Sequence, residues 1–199
     1  MLSFRSVASV LAVCVPVFLT GGASGEEELI RGIVVDEIRT WANSPVVLLT
    51  LEASNQRYAD LDQAGIDELD KQWRAERKTD DQPLITAVLS SPLSSYLTKI
   101  QAGSRGLYTE IFVMDSRGLN AGQSAITSDF WQGDEGKWQK TFQVGPDAIF
   151  IDEIEVNEES GTENAQVNLS IAQDGKTVGA ITVEINVTEL RRRRDAGKV

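Results

Sequence analysis

Histidine is absent from this 199-residue chain, and its one cysteine, Cys14, lies close to the start. The first absence removes the commonest general base and the usual ligand of haem iron and catalytic zinc. The second leaves any mature chain without a disulfide, a thiolate nucleophile or a cysteine metal site. Basic residues are also scarce: 19 Lys and Arg face 30 Asp and Glu, a net charge of −11. That balance argues against a nucleic-acid partner, because phosphate binding needs clustered cations. No glycine-rich phosphate loop follows a strand pattern, so a nucleotide-binding α/β fold is unsupported. The acidic run Asp152, Glu153, Glu155, Glu158 and Glu159 lacks the alternating spacing that wraps calcium, and reads as a solvated strand edge and loop. No metal and no cofactor is expected. Carboxylate chemistry is the one enzymatic route left, with Asp129 and Glu110 as a conceivable hydrolytic pair; the expectation is that the chain is not an enzyme.

What is present begins with a leader. Arg5 is a positive n-region, Val7 to Leu19 an apolar h-region, and Ala23-Ser24-Gly25 supplies the small residues of a cleavage site. The apolar run is shorter than the roughly 20 residues needed to span a bilayer. Residues 1–25 therefore read as a signal peptide, with the exported chain beginning near Glu26 in the periplasm or secreted. No later segment is apolar enough to cross a membrane.

The remaining chain divides by period. Ile30, Val34, Ile38 and Trp41 recur at helical spacing. Asn43-Ser44-Pro45 is a restart signal, with proline at a first helical position, and Val46 to Tyr58 continues the pattern. Ile66, Leu69 and Trp73 form one stripe of a further helix. Pro83 opens another apolar-periodic stretch, which Pro92 interrupts. After Gly103 to Gly106 the period becomes two: Leu107, Thr109, Ile111 and Val113 alternate with Tyr108, Glu110, Phe112 and Met114. Asp115-Ser116-Arg117-Gly118 reads as a turn and Leu119 to Ile126 as the returning strand. Ala148 to Val156, Ala165 to Ala172 and Val178 to Val187 complete five strands, the last two joined at Asp174-Gly175. Helices followed by a meander of antiparallel strands predict an α+β fold. One domain is expected over 26–190, then a basic flexible tail over 191–199 carrying Arg191 to Arg194.

The stretch Tyr108-Thr109-Glu110-Ile111-Phe112-Val113-Met114-Asp115-Ser116-Arg117-Gly118-Leu119-Asn120 resembles the central hairpin of Cache (PDC-type) sensor domains, in which a strand ends in Asp-x-x-Gly. Thr127 to Trp138, rich in aromatic and acidic residues, is similar to that family's pocket-closing loop. Gly175 and Gly179 match its pattern before the closing strand. The resemblance covers Ile30 to Leu190. It implies a PAS-like, five-stranded antiparallel sheet behind a long N-terminal helix and further helices. It also implies an extracytoplasmic module that binds a small metabolite: an amino acid, an amine or a carboxylate. Such domains commonly sit between two membrane helices of a receptor, kinase or cyclase. Here neither a second membrane helix nor an output module is recognisable. A soluble sensory or binding protein, with a membrane receptor or kinase as its possible partner, is the expectation.

A pocket is then expected between one sheet face and the Thr127 to Trp138 loop, lined by Tyr108, Glu110, Asp129, Trp131 and Trp138. Asp129 would bind a ligand ammonium or, on the blander reading, cap its own loop. Trp131 and Trp138 would wall the pocket or pin the loop to the core. Glu110 would face the pocket or solvent. Asp115 and Gly118 read as turn residues, and Lys137 as exposed unless it meets a ligand carboxylate. The alternative to a ligand-binding module is a periplasmic structural or interaction protein with the same fold and a filled pocket.

Overall fold

The computed structural model describes residues 25–158 and 160–198. The expected leader lies outside them, apart from Gly25. The N-terminal helix runs as α1 (Gly25–Ile30), a π-helical turn (Arg31–Val35) and α2 (Asp36–Ala42). Ile30, Val34, Ile38 and Trp41 are buried along it, as their spacing predicts. The π turn was not foreseen; its extra residue turns Val35 inward as well. Ser44 is extended and Pro45 occupies a first-turn position, so the chain restarts as α3 (Pro45–Arg57). α4 (Gln63–Glu76) starts on Asp62, whose carboxylate accepts from Gly65 N at 2.9 Å. α5 (Pro83–Leu89) and α6 (Pro92–Gly103) are separated where Pro92 demands it.

The strands are β1 (Tyr108–Met114), β2 (Asn120–Gln123), β3 (Ile149–Ile151), β4 (Glu155–Val156), β5 (Glu163–Gln173) and β6 (Lys176–Asn186), with a one-turn α7 (Gly136–Gln139) between β2 and β3. They form one antiparallel sheet in the order β2-β1-β6-β5-β3, with β4 also on β5. The α+β layout of helices and then an antiparallel sheet is as expected. The expected third strand, however, is broken at 152–154, so the described residues form six strands where five were expected. Asp174 and Gly175 take φ of +51° and +75°, the pair of positive values a two-residue hairpin turn requires.

The helices cover one sheet face. Ile111, Val113, Val167, Leu169, Ile181 and Val183 are fully or almost fully buried there against α1–α3 and α6. Each such side chain contributes roughly 1.5–3 kcal/mol by leaving water. A second apolar cluster joins α4 and α5 to the sheet's end, where Trp73 stacks on Phe130 at 5.3 Å.

The chain's end corrects a further expectation. Residues 187–195 form α8 (Val187–Asp195), not a strand end and a flexible tail. Asn186 Oδ1 accepts from Glu189 N at 2.8 Å, the cap that starts the helix. Arg191 pairs with Glu26 and Glu163, and Arg193 donates to the Ser104 and Arg105 carbonyls. Among the described residues no helix is long and apolar enough to cross a membrane.

Candidate functional site

The sheet face turned away from the helices is built from the alternate residues of the same strands. Register sets Glu110, Glu184 and Gln166 side by side across β1, β6 and β5. The next row is Phe112, Thr182 and Asn168; Thr182 Oγ1 donates to Asn168 Oδ1 at 2.7 Å, and Asn168 Nδ2 to the Phe150 carbonyl at 3.0 Å. Beyond it, Met114 and Ala180 are closed over by Trp138, itself stacked on Phe142 at 4.8 Å. The face is therefore sealed at one end and open at the other.

The open end is a cleft. One hollow, of about 340 Å³, is walled by Glu184 and Gln166 of the sheet, by Glu135 and Lys137 at the start of α7, and by Asp152, Glu153 and 155–157. A second, of about 560 Å³, shares Asn157, Asn164 and Glu184 with it and adds Glu110. Six carboxylates line the two: Glu110, Glu135, Asp152, Glu153, Glu155 and Glu184. Among the described residues that line them, Lys137 is the single cation. Its Nζ lies 2.8 Å from Glu135 Oε2 and 3.3 Å from Gln132 Oε1, above the Phe112 ring.

Burial pushes the Glu110 carboxyl up to about 7; the neighbouring Glu184 charge adds to the rise, Lys137 opposes it and Asp129 adds slightly. A carboxylate in such a place lacks the counter-charge that makes ionisation easy. Glu184 itself accepts from the Thr109 hydroxyl. Chemically, the arrangement offers a concave, acidic, partly desolvated surface suited to a cation carrying hydrogen-bond donors. Among the described residues no group of side chains has the makings of a metal site.

Of the five residues read as pocket-lining, Glu110 stands in the cleft. Tyr108 does not share its face. The register shifts between Tyr108 and Glu110, and this bulge turns Tyr108 into the helix-side core against Trp41, ring centres 6.2 Å apart. Asp129 is buried, bonded to Gln132 Nε2 and 3.3 Å from Arg74 Nη2, behind the cleft wall. Trp131 pins the loop: its Nε1 donates to Arg117 O at 2.9 Å, and it bridges Leu119. Trp138 Nε1 donates to Asp115 O at 3.1 Å, so its indole closes the apolar end of the face. Asp115 is the turn residue expected, accepting from Ser54 Oγ and from the Arg117 and Leu119 amides. Gly118 closes that turn at φ +80°, where a Cβ would meet the Gly133 backbone at 2.7 Å.

The loop's outer side is tied to α4. The Asp70 carboxylate accepts from the Phe130 and Trp131 amides at 2.8 and 3.1 Å, and Arg77 donates to Ser128 O at 2.8 Å. Sequence reasoning missed Glu184, Gln166 and the inward role of Lys137. A signal existed for the first two: Gln166, Asn168 and Ser170 alternate with apolar residues on β5, as Thr182, Glu184 and Asn186 do on β6.

No protein-family profile and no curated protein matches the chain. Solved structures similar in layout include the ligand-binding domain of the Campylobacter jejuni chemoreceptor Tlp3 in complex with 4-methylisoleucine. That match has 14% identity and a TM-score of 0.39, over 77% of this chain and 65% of that one. The ligand-binding domain of the Pseudomonas aeruginosa amino-acid chemoreceptor PctC, in complex with GABA, matches at 14% identity and TM-score 0.37, over 75% and 64%. The Escherichia coli DcuS sensor domain matches at 17% and 0.38, over 65% and 96%. The chain thus spans just under two thirds of the two chemoreceptor domains. All three TM-scores lie below 0.5.

Proposed function

We propose that this domain binds a small metabolite carrying an ammonium group in the cleft on the polar sheet face. It then serves as an exported sensory or binding protein, periplasmic or secreted, with a membrane receptor or kinase as its partner. The observation that carries the ligand class is the pair Glu110–Glu184. Two carboxylates stand in register on adjacent strands, one largely desolvated, in a cleft whose six acids face one lysine. An ammonium placed there would relieve the repulsion and supply the missing charge-assisted bonds. The sensory role is supported by the resemblance of the Asp-x-x-Gly hairpin and by the helices-then-sheet layout. Of the residues read from the sequence, Glu110 is the proposed ligand contact. Asp129, Trp131 and Trp138 hold the loop that shapes the cleft.

The test is a thermal-shift panel of amines, amino acids and organic acids, followed by titration calorimetry. Amines should raise the melting temperature and simple organic acids should not. Glu110→Gln should weaken amine affinity roughly 10–100-fold, the scale of one charge-assisted bond. Binding should weaken as pH falls below about 7, because a proton then competes with the ligand for Glu110. A panel without any shift, alongside tight capture of a partner protein, would replace this reading with the interaction-protein alternative.

A further inference from the structure

We propose that Asp129 and Gln132 are positioning residues for the cleft: the Asp129 carboxylate fixes the Gln132 amide so that its carbonyl oxygen holds the Lys137 ammonium at the wall. The inference rests on the cleft being the ligand site proposed above.

Gln132 is 1% exposed and Asp129 8%, so neither side chain is oriented by bulk water. Gln132 Nε2 donates to the Asp129 carboxylate, and at 3.3 Å to the Asp129 carbonyl. Gln132 Oε1 accepts from Lys137 Nζ at 3.3 Å. The two contacts dictate the amide's sense independently. A carboxylate can only accept and an ammonium can only donate, so the NH2 must face Asp129 and the oxygen must face Lys137. Arg74 closes the chain on the outside, its Nη2 3.3 Å from Asp129 Oδ2 and its Nε 2.7 Å from Asp70. The Gln132 backbone is itself fixed, its N–H donating to the Gly118 carbonyl at 2.8 Å. A continuous row of charge and hydrogen bonds therefore runs from α4, through the loop, to the lone cation of an acidic cleft.

The consequence is specific. Lys137 is the group that opposes the rise in Glu110's ionisation, while Glu184 and Asp129 add to it. A lysine stem left free has four rotatable bonds and prefers water to a wall. Held by Gln132 and Glu135, its charge stays near Glu110. Asp129 thus tunes the site without touching the ligand.

The experiment follows the Glu110 carboxyl by carbon-detected NMR titration in the ligand-free protein, so its outcome is independent of which metabolite binds. Lys137→Met should raise the Glu110 midpoint by about 0.5–1 unit, the size of one lost nearby charge. Gln132→Met, near-isosteric and apolar, should raise it by a similar amount, and the double variant by no more than the larger single effect. Asp129→Asn keeps an acceptor for Gln132 and removes the charge that adds slightly to Glu110's rise, so its midpoint should stay at or just below wild type; Asp129→Leu also frees Gln132 and should raise the midpoint, by less than Gln132→Met does. If Asp129→Leu fails to fold, the Gln132→Met and Asp129→Asn pair decides alone. A wild-type midpoint in Gln132→Met beside a raised one in Lys137→Met overturns the proposal, as does an unmoved midpoint in Lys137→Met.

Discussion

The two faces of the sheet are built by the same strands in the same registers, yet they do opposite things. On one, Val183 lies opposite Ile111 and Val167, and Ile181 opposite Val113 and Leu169, all buried beneath helices. One residue along each strand, Glu184 lies opposite Glu110 and Gln166, and Thr182 opposite Phe112 and Asn168. A period of two divides each strand into a stabilising half and a polar half. The first half holds the fold. The second tolerates carboxylate repulsion because the first supplies the stability that the repulsion costs. Binding groups and packing groups can therefore be altered separately, and substitutions on the two faces should differ in sign.

The largest effect belongs to the packed face. Ile181 is fully buried between Val113 and Leu169. Ile181→Ala should cost about 2–5 kcal/mol, the lost transfer of the removed carbons plus the cavity left behind. Urea unfolding followed by circular dichroism measures it. A cost under about 0.5 kcal/mol, the range of an ordinary surface change, would mean that the helices do not close on this face as described.

The polar face should answer with the opposite sign. Glu110 ionises in the folded protein near 7, well above the ordinary carboxylate range. A raised folded value means that the carboxyl favours folding below its unfolded value and loses that contribution as pH rises through 7. The ligand-free protein should therefore lose roughly 1–3 kcal/mol on this account between about pH 4.5 and pH 8. Glu110→Gln removes the loss, so the variant should be more stable than wild type at pH 8 and nearly equal to it at pH 4.5. Glu189, drawn down to about 2 by Arg192 and Arg193, titrates below that window. Asp115 is also shifted upward by burial, and the variant-minus-wild-type difference cancels it. A difference independent of pH would show that Glu110 is solvated like any surface acid.

What the sequence revealed follows the same division. The packed face was legible because apolar residues at period two, or at helical spacing, announce themselves locally. Asp174-Gly175 and Asp115-x-x-Gly118 were legible because few residues accept positive φ. The polar face was read in part. Glu110 was found on its own strand, whereas its neighbour Glu184 is supplied by register with a distant one. Tyr108 was misassigned because alternation assumes an unbroken strand, and the bulge beside Thr109 breaks it. For Asp129 the sequence offers a ligand ammonium or a loop cap; its carboxylate is bonded to Gln132 within the loop and paired with Arg74, which comes from a distant α4. α8 had a local signal that went unused, since Asn186 followed three residues later by Glu189 is a helix-start pattern.

Glu184→Gln gives the smallest of these effects and the sharpest view of the polar face. Burial is the larger cause of Glu110's raised value, and the Glu184 charge is the second. Replacing that charge by an amide leaves burial in place. The Glu110 midpoint should therefore fall by about 1 unit or less and remain above the ordinary range. The Thr109 hydroxyl, which donates to Glu184, finds an acceptor in the glutamine carbonyl, so the local hydrogen bond survives. The ligand-free protein should gain about 1 kcal/mol or less at pH 8, less than Glu110→Gln gains, because only the pairwise repulsion is removed. Amine affinity should fall as well, since one of two carboxylates facing the ligand is gone. Stability rising while affinity falls is the signature of a site kept at the expense of packing. The Glu110 midpoint, the pH 8 melting temperature and an amine titration on the one variant measure all three. An unchanged midpoint would uncouple the two acids and remove Glu184 from the proposed ligand site, leaving burial as the cause of Glu110's raised value.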